Sequence, residues 1–105
     1  MITVTFLYPN TPGGRFDADY YIDMHMPLAI RLLGPALKAV TAEIGTSAAM
    51  PDQPPPFFAM ARFTFESVQA FTEAVMPHYI ELQSDIPNYT DVAPVVQVGD
   101  LRISQ

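Results

Sequence analysis

The chain has no cysteine among its 105 residues, so it carries no disulfide framework, no thiolate metal site and no cysteine nucleophile. A stapled secreted mini-domain and a zinc ribbon are both excluded, and a reducing, cytoplasmic setting is the default expectation. Basic residues are scarce as well: five Lys and Arg face eleven Asp and Glu, for a formal net charge of -6. A field of that sign repels phosphate backbones and anionic lipid heads, so nucleic acid is not an expected partner. Nor is a membrane, because no apolar run reaches the roughly 20 residues of a spanning helix. The opening MITVTFLYPN also lacks the basic segment and long apolar segment of an export signal.

Half of the residues are hydrophobic and only 15% are charged, which fits one core and a single domain over 1–105. The eleven prolines sit among seven Phe and five Tyr, enough apolar surface to offset the entropy of folding. Residues 2–8 alternate, with Ile2, Val4, Phe6 and Tyr8 on one side and Thr3, Thr5 and Leu7 on the other, the pattern of a strand. Asn10 to Arg15 is turn chemistry. From Asp17 the spacing becomes helical, with Asp17 or Asp19 as N-cap; Pro27 should break this helix near His25 and restart it. Gly34-Pro35 closes the helix, and residues 36–46 read as a second strand with Leu37, Ala39, Thr41 and Glu43 opposite Val40, Ala42 and Ile44.

Residues 47–56 form a proline-rich connector, and 57–65 a third strand that is apolar on both faces and therefore central. A second helix starts at Ser67, where Val68, Phe71, Val75, Tyr79, Leu82 and Ile86 recur at intervals of three and four, with Pro77 as its break. Residues 92–104 read as a last strand with a bulge at Gly99-Asp100. The order βαββαβ predicts an α+β, ferredoxin-like fold: a four-stranded antiparallel sheet with two kinked helices on one face. The other face, about 400 Å² at ordinary strand spacings, is expected to be mostly apolar and to be covered by a second copy, giving a homodimer.

His25 is the sharpest chemical candidate, since imidazole exchanges protons near neutral pH and the joint at Pro27 leaves carbonyls free to orient it. Proton shuttle and simple carbonyl cap are both consistent with its position. Tyr20, Tyr21 and Tyr79, with Met24 and Met60, are the expected lining of a pocket for a small hydrophobic molecule between sheet and helices. His78 lies off the apolar stripe and reads as a capping or exposed side chain. The two histidines lack any short metal-binding spacing, no GxSxG or GxGxxG is present, and neither metal nor cofactor is expected.

Tyr8-Pro9, Phe16-Asp17, Tyr20-Tyr21, His25-Met26-Pro27-Leu28, Gly34-Pro35-Ala36-Leu37 and the stretch from Asp85-Ile86-Pro87-Asn88-Tyr89-Thr90 to Gln97 together resemble the EthD family, named for ethyl tert-butyl ether degradation. The resemblance implies a dimeric α/β-barrel of ferredoxin-like subunits, found in bacteria beside a cytochrome P450 system that oxidises ethers. Members are often labelled reductases or oxidoreductases, and His25 stands in the family's HMPL motif. Two functions follow as expectations: a catabolic oxidoreductase or accessory enzyme with His25 as proton shuttle, or a non-catalytic carrier of a small ligand associated with an oxygenase.

Overall fold

Alternation in β1 (Ile2–Pro9) sorts its side chains so that Val4 and Tyr8 are buried beneath helices while Thr5 and Leu7 stay half-exposed on the far side. The computed structural model describes residues 1–105. Beyond β1, the sheet contains β2 (Ala39–Ile44), β3 (Phe57–Phe65) and β4 (Val95–Asp100), in the order β2-β3-β1-β4 with every pairing antiparallel. Helical stretches fill the β1–β2 and β3–β4 connections, which completes the ferredoxin-like βαββαβ arrangement. β3 is central, as expected, and shares the middle of the sheet with β1.

The first helical stretch has three parts: α1 (Ala18–Tyr20), a π-helical turn (Tyr21–His25) and α2 (Met26–Leu33). Asp17 caps it, its side chain accepting the Tyr20 N–H at 3.0 Å. The helix does not break near His25. The backbone stays right-handed through His25 and Met26, and the turn widens so that the Met26 N–H donates to the Tyr21 carbonyl five residues back. The added residue in that turn accommodates Pro27, which has no N–H to donate. Gly34, at φ +64, ends the stretch in a conformation that a side chain would strain.

The second stretch, α3 (Val68–Val75), a 3₁₀ turn (Met76–His78), α4 (Tyr79–Asp85) and a 3₁₀ turn (Ile86–Asn88), is kinked where Pro77 and Pro87 forbid continued α bonding. Ser67 caps α3 by accepting the Ala70 N–H at 3.0 Å. No helix is long and apolar enough to cross a membrane.

Two strands are shorter than their sequence patterns. β2 starts at Ala39 because a 3₁₀ turn (Gly34–Ala36) precedes it, and β4 ends at Asp100, opposite Ile2 at the start of β1, with one further backbone bond from the Leu101 N–H to the Met1 carbonyl. Gly99 pairs regularly with Thr3, so the expected bulge is absent there; the register slips instead at Tyr8/Pro9.

Val4, Phe65, Tyr21 and Tyr89 are the largest of the most deeply buried side chains and form the centre of the core between sheet and helices. Each such side chain contributes roughly 1.5–3 kcal/mol by leaving water. The helix-free face differs from expectation. Across its strands run the rows Glu43–Met60–Leu7–Val95, Thr41–Arg62–Thr5–Gln97 and Ala39–Thr64–Thr3–Gly99. That face is therefore mixed, with one apolar row beside one polar and one small-residue row, because the period-2 alternation sends the large aliphatics and aromatics of β1 and β3 to the helix side.

Candidate active site

The π turn brings Tyr21 and His25 onto the same inward side of the first helix. Their rings stack at 16° with centroids 5.8 Å apart, and both residues are buried. Residues i and i+4 share a face of the helix in an α turn and in this wider turn alike, so both rings are carried inward together.

The partner of His25 comes from the far end of the chain. Asp85, the last residue of α4, places Oδ2 2.8 Å from His25 Nδ1. Its other oxygen accepts from the Tyr20 hydroxyl at 2.6 Å and from Asn88 Nδ2 at 3.0 Å. Burial pushes the Asp85 pKa up, but the hydrogen bonds from Tyr20, His25 and Asn88 outweigh it and hold the carboxyl below its ordinary value. Asp85 is therefore ionised near neutrality and can only accept, so Nδ1 carries a proton; in the neutral tautomer that this contact selects, Nε2 presents a lone pair.

A latch fixes the two chain segments around this pair. The Asp17 N–H donates to the Tyr89 carbonyl at 2.7 Å, Thr90 Oγ1 donates to the Arg15 carbonyl at 2.7 Å, and the Arg15 N–H donates to Asp91 Oδ1 at 2.8 Å. Arg15 also reaches the Pro87 carbonyl through Nη2 at 2.6 Å. Residues 85–91 are thereby tied to the entry of the helix that carries His25.

Between helices and sheet lies a cavity of about 310 Å³. Phe6 and Phe63 from the sheet and Leu33, Phe71, Leu82 and Ile86 from the helices supply much of its apolar wall, while Pro94 and Val96 border it on the β4 side. Tyr8, Tyr21 and His25 bring polar atoms to it. Every sealed side-chain nitrogen or oxygen in the protein has a hydrogen-bond partner. His25 Nε2 has none within the chain, so it is open, on a residue that lines this cavity. Burial raises the pKa of Tyr21, Tyr89 and Tyr8 and keeps all three phenols protonated.

The family model of the EthD domain matches residues 15–93, most of the chain. The chain belongs to the EthD family. It is similar to an EthD-like protein from Ralstonia eutropha of known crystal structure, at 40% identity and a TM-score of 0.93, over 99% of this chain and 94% of that one. An EthD family protein from Bacillus halodurans has the same fold at 15% identity and a TM-score of 0.76, over 97% of this chain and 99% of that one. HapK from Hahella chejuensis shares the fold at 12% identity and a TM-score of 0.64, over 100% of this chain and 96% of that one. No curated protein gives a significant match.

In this EthD chain the residues expected at the pocket divide. His25 and Tyr21 line the cavity from the π turn, and Tyr79 stands half-exposed at its rim. Tyr20 is not a lining residue; it binds Asp85 and so supports His25 from behind. Met24 points to solvent, and Met26, two positions on, takes the lining place. Met60 lies on the helix-free face beside Leu7, because its neighbours Ala59 and Ala61 are the buried members of β3 at that level. The connector 47–56 contributes no residue to the cavity wall.

Asp85, Tyr8 and Tyr89 were not singled out as site residues from the sequence. Asp85 does leave a local signal: a carboxylate at a helix C-terminus sits at the unfavourable end of the helix dipole, a cost that suggests a tertiary partner. No group of three or more His, Asp or Glu is close enough to hold a metal ion.

Proposed function

We propose that this EthD chain is a small-molecule enzyme that moves a proton on an apolar substrate held in the cavity. His25 Nε2 takes and returns the proton; Asp85 fixes the tautomer and steadies the imidazolium that forms, with Tyr20 and Asn88 holding the carboxylate in turn. The observation that carries this reading is the His25–Asp85 pair with Nε2 left open on a cavity-lining residue. A carbonyl-capping histidine would direct its ring nitrogens at backbone oxygens; here Nδ1 goes to a carboxylate.

In the setting that the family resemblance implies, the breakdown of ethers and other hydrophobic compounds beside a cytochrome P450 system, such a step makes the protein an accessory enzyme acting on an oxidised product. We further propose a homodimer through the helix-free face, supported by the apolar row Met60–Leu7–Val95 and by the small residues of the Ala39–Gly99 row, which permit close approach.

The test incubates the protein with a panel of small apolar compounds in D2O and follows deuterium incorporation by mass spectrometry, alongside melting-temperature shifts for binding. Wild type is expected to exchange at least one compound, and His25→Ala to bind it while losing the exchange. Binding without His25-dependent exchange across the panel identifies a carrier and removes the enzymatic reading.

A further inference from the structure

We infer that the inner wall of the cavity holds the oxygen of a carbonyl substrate between the hydroxyls of Tyr8 and Tyr21, so that the substrate class is a small apolar carbonyl compound and the reaction proceeds through its enolate. This deepens the proton-transfer reading of His25 and rests on it.

Tyr8, Tyr21 and Tyr89 pack around one another, with ring centroids of 5.5 Å for Tyr8–Tyr21, 5.9 Å for Tyr8–Tyr89 and 5.0 Å for Tyr21–Tyr89. Three phenols have three protons to donate, and the chain offers them a single bond, the 2.8 Å contact between the Tyr8 and Tyr89 hydroxyls. Its direction follows from burial. Tyr89 is fully closed to solvent and does not line the cavity, so its proton has no destination except the Tyr8 oxygen. With Tyr89 donating, the Tyr8 proton is left over on a residue that does line the cavity. The Tyr21 hydroxyl has no partner either, is not sealed, and belongs to a residue only 1% exposed.

Two spare phenol donors and one open imidazole nitrogen therefore belong to residues that line one mostly apolar cavity, to which Tyr79 and Gln83 add the other polar side chains. Leaving such donors unpaired in a core costs stability, and the arrangement is met by a ligand acceptor with two lone pairs. A carbonyl oxygen is that acceptor. Tyr21 and Tyr8 remain protonated throughout because burial opposes their ionisation, so they donate to the oxygen without losing their own protons.

The step is balanced without a further reactant. Nε2 of His25 takes the proton from the carbon next to the carbonyl; the C–H electron pair becomes a C=C bond as the carbonyl π pair moves onto oxygen. Tyr8 and Tyr21 hold that oxyanion, and the imidazolium opposite Asp85 returns the proton to the same carbon or to a conjugated one. The net change is tautomerisation or a double-bond shift.

The experiment uses 4-nitrophenol, whose phenolate imitates a planar enolate and is read by its own absorbance, against 4-nitrotoluene, which has the same shape without the oxygen. Wild type is expected to bind 4-nitrophenol at least about 10-fold tighter, with the bound phenolate fraction raised. Tyr21→Phe, which removes a hydroxyl that bonds nothing in the fold, is expected to erase most of that preference and leave 4-nitrotoluene affinity unchanged; Tyr8→Phe should do the same. Equal affinity for the two probes, failure of both to bind, or a preference that survives Tyr21→Phe overturns the inference. Hydrogen–deuterium exchange into phenylacetone separates the two readings. Exchange lost in His25→Ala but untouched in Tyr21→Phe and Tyr8→Phe leaves the acid–base role standing and removes the oxyanion site. A tyrosine-dependent phenolate preference with exchange indifferent to His25 does the reverse.

Discussion

Asp85 Oδ2 lies 2.8 Å from Nδ1 of His25, sixty positions earlier in the chain, and this contact sets which nitrogen of the imidazole faces the cavity. The carboxylate is itself held on its other oxygen by Tyr20 and Asn88, so the orientation of His25 is fixed by a chain of donors and not by a single bond.

Asp85→Asn keeps the shape of the site but places an amide where a pure acceptor stood, so the imidazole loses its enforced tautomer. His25-dependent exchange is expected to fall on the order of 10²–10⁴-fold. Nitrogen-15 NMR of the histidines should show Nδ1 protonated in wild type and a tautomer mixture in the variant. An unchanged spectrum removes the positioning role.

The same contact predicts how stability varies with pH. The folded-state pKa of Asp85 lies below its ordinary 3.8, so its contribution is fully present above that value and is lost as pH falls through the folded one. Urea midpoints of wild type and Asp85→Asn should differ near neutrality and converge in acid. A gap that widens below pH 3.8 contradicts the sign of this shift.

Tyr8→Phe strands the buried Tyr89 hydroxyl without an acceptor, and about 1–3 kcal/mol of stability should go with it. Adding Tyr89→Phe removes the stranded group and should recover part of the loss. Tyr21→Phe, with no bond to lose, is expected to leave the melting temperature unchanged or raise it. Chemical denaturation of the three variants beside wild type checks the whole set.

A homodimer through the helix-free face gives a particle of twice 11.6 kDa by light scattering. Leu7→Lys puts a charge in the centre of the apolar row and is expected to yield monomers with an intact fold by circular dichroism. Wild type scattering as 11.6 kDa at micromolar concentration excludes this assembly.

Much of the fold was legible because binary patterning is a local property. The alternation of residues 2–8 and the apolar run 57–65 each identified a strand, the second of them as central, and the three-and-four spacing after Ser67 identified the second helix. Pro77 marked its kink for the same reason. Pro27 misled, since a missing N–H predicts a break and does not reveal that a turn can widen around it. The mixed character of the helix-free face was readable in Thr3, Thr5, Arg62 and Thr64, yet it only becomes evident once the register aligns those residues across strands.

His25 and Tyr21 stood out by residue type and position, and family membership rests on short motifs present in the sequence itself. Their partners did not stand out, because Asp85 and Tyr89 meet them only across sequence separations of sixty or more residues and Tyr8 meets Tyr21 from a different element. Side-chain chemistry supplied a base and several phenols. Tertiary packing decided which carboxylate orients that base, which hydroxyls are left with unused protons, and that these groups share one cavity; hydrogen-bond satisfaction is a property of neighbours in three dimensions, and no periodicity along a chain encodes it.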